Sequence, residues 1–149
     1  MNVYVDSSVL LRVVLRERGR VGIWSRITVP IASELIRLEC LRTIDRARIR
    51  NQLEEDAVAD HRAAVLESLG AFSLIKVGRG VLERAAEPFP TLLGSLDAIH
   101  LASALLVKDE FDDLSLATHD AELAIAARAV GLRVHGAPAS GRPASRTPR

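Results

Sequence analysis

The sequence predicts one α/β domain in which a mostly parallel sheet is covered on both faces by helices. Three observations predict it. Short β-branched runs alternate with longer stretches whose apolar residues recur every three or four positions, the pattern of strands joined by crossover helices. The 149 residues are 48% hydrophobic and 26% charged, which supplies one sizeable core and excludes disorder of the whole chain. The two clearest strands, Val3 to Val5 and Leu114 to Thr118, lead into Asp6 and Asp120. If those strands are parallel, both carboxylates emerge at the edge where open α/β sheets bind ligands.

Val3-Tyr4-Val5 combines β-branched and aromatic residues and reads as a buried strand ending at Asp6. Ser7 or Ser8 is placed to cap the following helix, whose buried stripe is Leu10, Leu11, Val13 and Val14. Gly19 and Gly22 interrupt it. Ile27 to Ile31 is a second short strand, with Pro30 marking a strand end or an irregular position. Ser33 then stands where a helix cap belongs, ahead of Leu35, Ile36, Leu38, Cys40, Leu41, Ile44 and Ala47 at helical spacing.

A further helix covers Gln52 to Leu69, its acids forming a solvated face, and Gly70 ends it. Phe72 to Val77 is an extended segment, Gly78 to Glu87 a short helix, and Pro88, Pro90 and Gly94 mark a loop. Ser95 to Leu106 begins with Ser95 as cap and is apolar over most of its surface, so it is expected to be packed on several sides. After the acidic loop Asp109 to Asp113 come the strand Leu114 to Thr118, a helix from Ala121 to Val130 ended by Gly131 in a left-handed cap position, and a last strand Leu132 to His135. Residues 1–135 are therefore read as one domain. The segment 136–149, rich in Gly, Pro, Ala, Ser and Arg, is read as a disordered basic tail.

Twenty basic and 19 acidic residues give a formal net charge of +1, so no global field marks a nucleic-acid binder and any basic surface is local. Only Lys76 and Lys108 among the bases are lysines. That preference for Arg suits phosphate recognition, but we assign most of it to coding bias. The single cysteine, Cys40, excludes an internal disulfide, and its apolar stripe favours a small buried residue over a nucleophile. The amino terminus lacks a basic start and a small-residue cleavage site, and no apolar run approaches the roughly 18 to 20 residues that cross a bilayer. The expectation is a soluble, cytoplasmic protein without a membrane partner.

Four acids are candidates for chemistry: Asp6, Glu39, Asp97 and Asp120. Each has a structural alternative. Asp6 can open a turn, and Asp97 sits in a first helical turn where the dipole favours an anion. Glu39, set among apolar helix positions, is costly to bury unless Arg42 or Arg46 pairs with it. Their order, strand-acid, helix-acid, helix-start-acid, strand-acid, argues further than any one of them. Carboxylates converging in one pocket repel one another unless a cation neutralises them. Oxygen ligands without a Cys or His cluster point to Mg²⁺ or Mn²⁺ rather than structural zinc. Such an ion activates water and stabilises phosphoryl charge, which makes phosphodiester hydrolysis the leading reaction.

The segments Val5-Asp6-Ser7-Ser8-Val9-Leu10-Leu11, Ser33-Glu34-Leu35-Ile36-Arg37-Leu38-Glu39-Cys40-Leu41-Arg42, Leu96-Asp97-Ala98-Ile99-His100-Leu101-Ala102-Ser103-Ala104 and Leu116-Ala117-Thr118-His119-Asp120 together resemble the ordered motifs of PIN-domain ribonucleases, specifically the VapC toxins of type II toxin-antitoxin systems. The resemblance spans roughly residues 2 to 135. It implies a PIN-like α/β/α sandwich, Mg²⁺- or Mn²⁺-dependent endoribonuclease activity on structured RNA, frequent homodimers, and inhibition by an antitoxin protein. Metal-ligand roles carry over to Asp6, Glu39, Asp97 and Asp120, the last varying in direct contact within the family. Ser7, Ser8 and Thr118 match hydroxyl positions that orient these carboxylates.

Glu34 rivals Glu39, but the family spacing selects Glu39, and Glu34 is explained by the helix dipole. His100 reads as a packed or hydrogen-bonded side chain of its helix and His119 as a neighbour of the site; neither is assigned to the catalytic set. Two alternatives stand beside the nuclease: a degenerate PIN-fold module that binds RNA or protein, and an aspartyl-nucleophile phosphatase. The second calls for an acid two residues after Asp6, where this chain has Ser8.

Overall fold

The computed structural model describes residues 1–50 and 52–137. Eleven elements alternate along them: β1 (Asn2–Val5), α1 (Ser7–Val14), β2 (Val29–Ser33), α2 (Leu35–Ile49), α3 (Glu55–Leu69), β3 (Ser73–Ile75), α4 (Arg79–Ala86), α5 (Ser95–Leu106), β4 (Ser115–Ala117), α6 (Ala121–Ala129) and β5 (Arg133–His135). The strands form one sheet in the order β3-β2-β1-β4-β5, every pairing parallel.

Side-chain alternation along β1 assigns its residues to two cores. Val3 and Val5 join Val9, Leu10, Ile36, Cys40, Ile44 and Val65, so α1, α2 and α3 cover one face. Tyr4 joins Leu101, Ala104, Leu116, Leu123 and Ala127, so α5 and α6 cover the other. This is the sandwich the alternation of patterns predicts. It places Asp6 at the carboxyl end of the central strand, between both helical layers.

Where the chain departs from the sequence reading, a tertiary constraint outweighs a local preference. β2 runs from Val29 to Ser33 rather than Ile27 to Ile31. Parallel pairing of Ser33 with Ile75 draws Ser33 into the sheet and away from the capping role, which passes to Glu34 without a side-chain hydrogen bond. Pro30 lies within β2 with its nitrogen on the β3 side, since the Val29 N–H is on the β1 side, and β3 pairs only from Ile31 onward, so no ladder bond is lost. Ser7, Ser8 and Ser95 are likewise not caps: the cap positions are Asp6 for α1 and Gly94 for α5, neither with a side-chain bond. Trp24–Arg26 adds a 3-10 turn that the sequence pattern did not indicate, and α3 begins at Glu55 rather than Gln52. Gly131 has φ of +85°, in keeping with its cap position after α6.

No helix among the described residues is long and apolar enough to cross a membrane. Of the segment read as a basic tail, Gly136 and Ala137 are described, and residues 138–149 lie outside the described residues. The Ala137 carbonyl accepts a bond from Arg128 Nη2 at 3.1 Å. Gly136 has φ of +101°, and a Cβ there would come within 2.6 Å of the Thr118 carbonyl oxygen. Gly136→Ala is expected to destabilise the domain by about 1–3 kcal/mol, read as a lowered melting temperature; an unchanged melting temperature would show that β5 ends without constraint from Thr118.

Candidate functional site

Asp6 is only 5% exposed, although a buried carboxylate is costly without donors. Three hydroxyls supply them. Thr118 Oγ1 donates to Asp6 Oδ2 at 2.8 Å, Ser8 Oγ to the same oxygen at 2.5 Å, and Ser7 Oγ to Oδ1 at 3.4 Å. Thr118 is delivered by β4, which lies beside β1 and whose Ala117 carbonyl accepts the Asp6 N–H at 3.0 Å. Ser8 Oγ in turn accepts the His119 N–H at 3.0 Å, which ties the first helix to the loop after β4. The sequence Asp-Ser-Ser thus gives an acid at a strand end and two hydroxyls in the first turn of a helix that point back at it.

Glu39 reaches this point from α2 and His100 from α5, on the opposite face of the sheet. His100 Nε2 lies 2.6 Å from Glu39 Oε2 and 3.8 Å from Asp6 Oδ1. This removes Arg42 and Arg46 as the partner of Glu39: Arg42 pairs with Asp45 at 3.0 Å. His100 is fully buried, and its other nitrogen, Nδ1, is 3.0 Å from the Tyr4 hydroxyl and 3.5 Å from Ser33 Oγ. The reading of His100 as a satisfied side chain holds, but its partners are an acid of the site and the central strand rather than its own helix.

Ligand atoms of Asp6, Glu39 and His100 lie within 4.8 Å of one another. Asp97 and Asp120 do not join that triangle, but Asp97 is coupled by charge both to it and to Asp120. Asp97, in the first turn of α5, has its carboxyl pushed up to about 6, first by burial, then by the Asp120 and Asp6 charges and by Glu39, with His100 acting in the opposite sense. Asp120 is exposed and caps α6, Oδ1 accepting the Leu123 N–H at 2.8 Å, while its own N–H donates to Thr118 Oγ1 at 2.9 Å. One oxygen of Asp120 is thereby occupied by the start of its own helix. Glu34 turns away, accepting the Val77 N–H at 3.3 Å. Cys40 is buried, and its thiol is pushed up to about 12 by burial and then by Glu39 and Asp6, so it does not serve as a nucleophile.

The donors fit a hard divalent cation. They are oxygen-rich, they converge from three segments, and Asp97 retains its proton more tightly than an ordinary carboxyl, first because it is half-buried and then because its neighbours are acids. Beside Glu39 a groove of about 420 Å³ is lined by Ser7, Arg42, Thr43, Arg46 and Leu96. Arg42 and Arg46 are exposed and one helical turn apart from each other, within reach of an anion that approaches the acids.

Comparison with known families places these features in one lineage. The family model of the PIN domain matches residues 3–129. The chain belongs to the PIN-domain family. All four acids, the hydroxyls around Asp6 and His100 fall within the matched span of this PIN domain. Among curated proteins no sequence matches. Solved structures share the fold at low identity. A chain of a toxin-antitoxin complex from Klebsiella pneumoniae superposes with a TM-score of 0.58 at 18% identity, covering 83% of this chain and 90% of that one. A chain of VapBC2 from Rickettsia felis, bound to a DNA fragment from their promoter, superposes with a TM-score of 0.61 at 9% identity, covering 90% of this chain and 97% of that one.

The sequence pattern alone singled out Asp6 and Glu39, which the fold brings together, and Asp97 and Asp120, which it leaves at the margin of that pair. It missed His100. The available signal was spacing: Asp97 and His100 are three apart on α5 and therefore share a helix face.

Proposed function

We propose that this PIN-domain protein is a divalent-metal-dependent endoribonuclease, the toxin of a type II toxin-antitoxin pair that cleaves structured cellular RNA. The observation that carries the reading is the pair Asp6–Glu39 at the carboxyl edge of a parallel sheet, with a neighbouring Asp97 whose proton affinity is raised first by burial and then by the surrounding acids. Asp6, Glu39 and Asp97 would hold Mg²⁺ or Mn²⁺, with Asp120 as a further contact. Such an ion supplies an activated water and relief of phosphoryl charge. The chain's own groups do the rest. Ser8 and Thr118 fix the Asp6 carboxylate, while Arg42 and Arg46 bind backbone phosphates beside the acids. With 3% aromatic residues, recognition rests on shape and Arg contacts more than on stacking of bases.

The test is cleavage of structured RNA by purified protein in Mg²⁺ or Mn²⁺ and in chelator. Metal-supported endonucleolytic products that vanish on chelation are expected. Equal cleavage in chelator would sink the metal mechanism, and RNA binding without cleavage in either metal would point to the degenerate module.

A pH dependence follows from Asp97. Cation binding requires its ionised form, and its carboxyl is raised from 3.8 to about 6. Apparent Mn²⁺ affinity should therefore rise from pH 5 to pH 7 and level off above, changing by about tenfold per pH unit below the Asp97 value. Calorimetric titration at several pH values reads this. Affinity independent of pH between 5 and 7 would remove Asp97 from the ligand set.

The partner protein is proposed from the same charge pattern. The Klebsiella and Rickettsia structures are a toxin-antitoxin complex and a VapBC2 assembly. An antitoxin peptide across the acidic edge, with an Arg or Lys among the carboxylates, would relieve the same repulsion as a cation. Inhibition undiminished after removal of its basic residues would rule this out. A homodimer is proposed for the toxin itself.

A further inference from the structure

We infer that His100 is a positioning residue: its Nε2–H, held in place by the Tyr4 hydroxyl on the opposite ring nitrogen, fixes the Glu39 carboxylate for cation binding. The inference rests on the metal-site reading above and adds to it a buried relay that begins in the central strand.

The direction of each hydrogen bond can be followed outward from the sheet. The Ser33 backbone N–H donates to the Tyr4 hydroxyl oxygen at 3.1 Å. The Tyr4 proton is then free to be donated to His100 Nδ1 at 3.0 Å. With Nδ1 accepting, the neutral ring carries its hydrogen on Nε2, which donates to Glu39 Oε2 at 2.6 Å. The charged ring donates from Nε2 as well, so this bond does not depend on protonation state.

Two alternatives are less consistent with this geometry. A ligand role for His100 needs a free nitrogen lone pair, and both nitrogens are engaged: one by Tyr4, the other by the hydrogen aimed at Glu39. The triangle of Asp6, Glu39 and His100 is then two ligands and the group that holds one of them. A purely structural histidine would need only some acceptor for Nε2–H, since Tyr4 and Ser33 satisfy Nδ1 alone; here that acceptor is a carboxylate of the site. Glu39 does need a holder. Its side chain is 19% exposed at the mouth of a groove containing Arg46, which would draw a free carboxylate away from Asp6.

The experiment compares the full-length wild type with His100→Leu, His100→Gln and Tyr4→Phe. Melting temperature, Mn²⁺ affinity by calorimetry and cleavage as a function of Mn²⁺ are measured for each. His100→Leu is expected to fold and to bind Mn²⁺ about 10- to 100-fold more weakly, the usual effect of losing a group that orients a ligand. Saturating Mn²⁺ should restore much of its turnover. His100→Gln, which keeps a donor, should recover most of the affinity, and Tyr4→Phe should weaken binding in the same direction but less. Wild-type affinity in a folded His100→Leu protein overturns the inference while leaving the proposed function intact. So does electron-spin-echo coupling of bound Mn²⁺ to ¹⁵N-labelled histidine, which would make His100 a ligand. If His100→Leu does not fold, Tyr4→Phe decides: unchanged Mn²⁺ affinity overturns the relay. A wild type that neither binds Mn²⁺ nor cleaves RNA overturns the proposed function first.

Discussion

Asp6→Asn is expected to lower cleavage by well over a hundredfold while leaving the fold intact. The lower bound comes from comparison: losing a group that merely orients a ligand costs about 10- to 100-fold, and a ligand held at the centre of the acids should cost more. The fold survives because asparagine is isosteric and its carbonyl oxygen can take the position of Oδ2, where Thr118 and Ser8 donate. The amide nitrogen then lies on the side of Oδ1. One charge of a repelling set is also gone, so Asp97 should ionise more easily in the variant than in the wild type. Melting curves with and without Mn²⁺ beside the RNA cleavage assay check all of this. A folded Asp6→Asn protein with substantial metal-dependent activity would remove the central acid from the mechanism.

Glu39→Gln separates a cation ligand from a structural ion pair. The glutamine carbonyl still accepts from His100 Nε2, so the bond across the two helical layers can persist without the carboxylate charge. The expected protein is folded, bound weakly or not at all by Mn²⁺, and inactive. If Glu39 and His100 instead form a structural buried ion pair, the substitution should cost about 3–5 kcal/mol through the uncompensated charge on His100, and cleavage should fall only in step with unfolding. Melting temperature against activity, measured on the same preparation, distinguishes the two. A folded and fully active Glu39→Gln protein would exclude both roles.

How the site is assembled explains what was legible beforehand. Asp6 and Asp120 were readable because each follows a strand, and parallel strands deliver their ends to one edge. Glu39 was readable as an acid out of place in an apolar helical stripe. Its partner was not. Arg42 and Arg46 are near it in sequence, but Arg42 is engaged by Asp45 on the helix surface, and His100 arrives from 61 residues away. Ser33 misled for a related reason: as a residue type it favours a cap, but the sheet register with Ile75 outweighs that preference.

The sequence by itself determined the α/β alternation, the two-sided burial of β1 and the order of the four acids, since these are set by residue periodicity and by what each strand runs into. Only the tertiary structure decided that Asp6 and Glu39 form the close pair, that Asp97 and Asp120 act from its margin, and that a tyrosine on the central strand holds a histidine against Glu39. The physical reason is the range of the interactions. Hydrophobic periodicity is local and repeats every two or about 3.6 residues, whereas the Tyr4–His100 bond joins residues 96 apart that no local pattern relates.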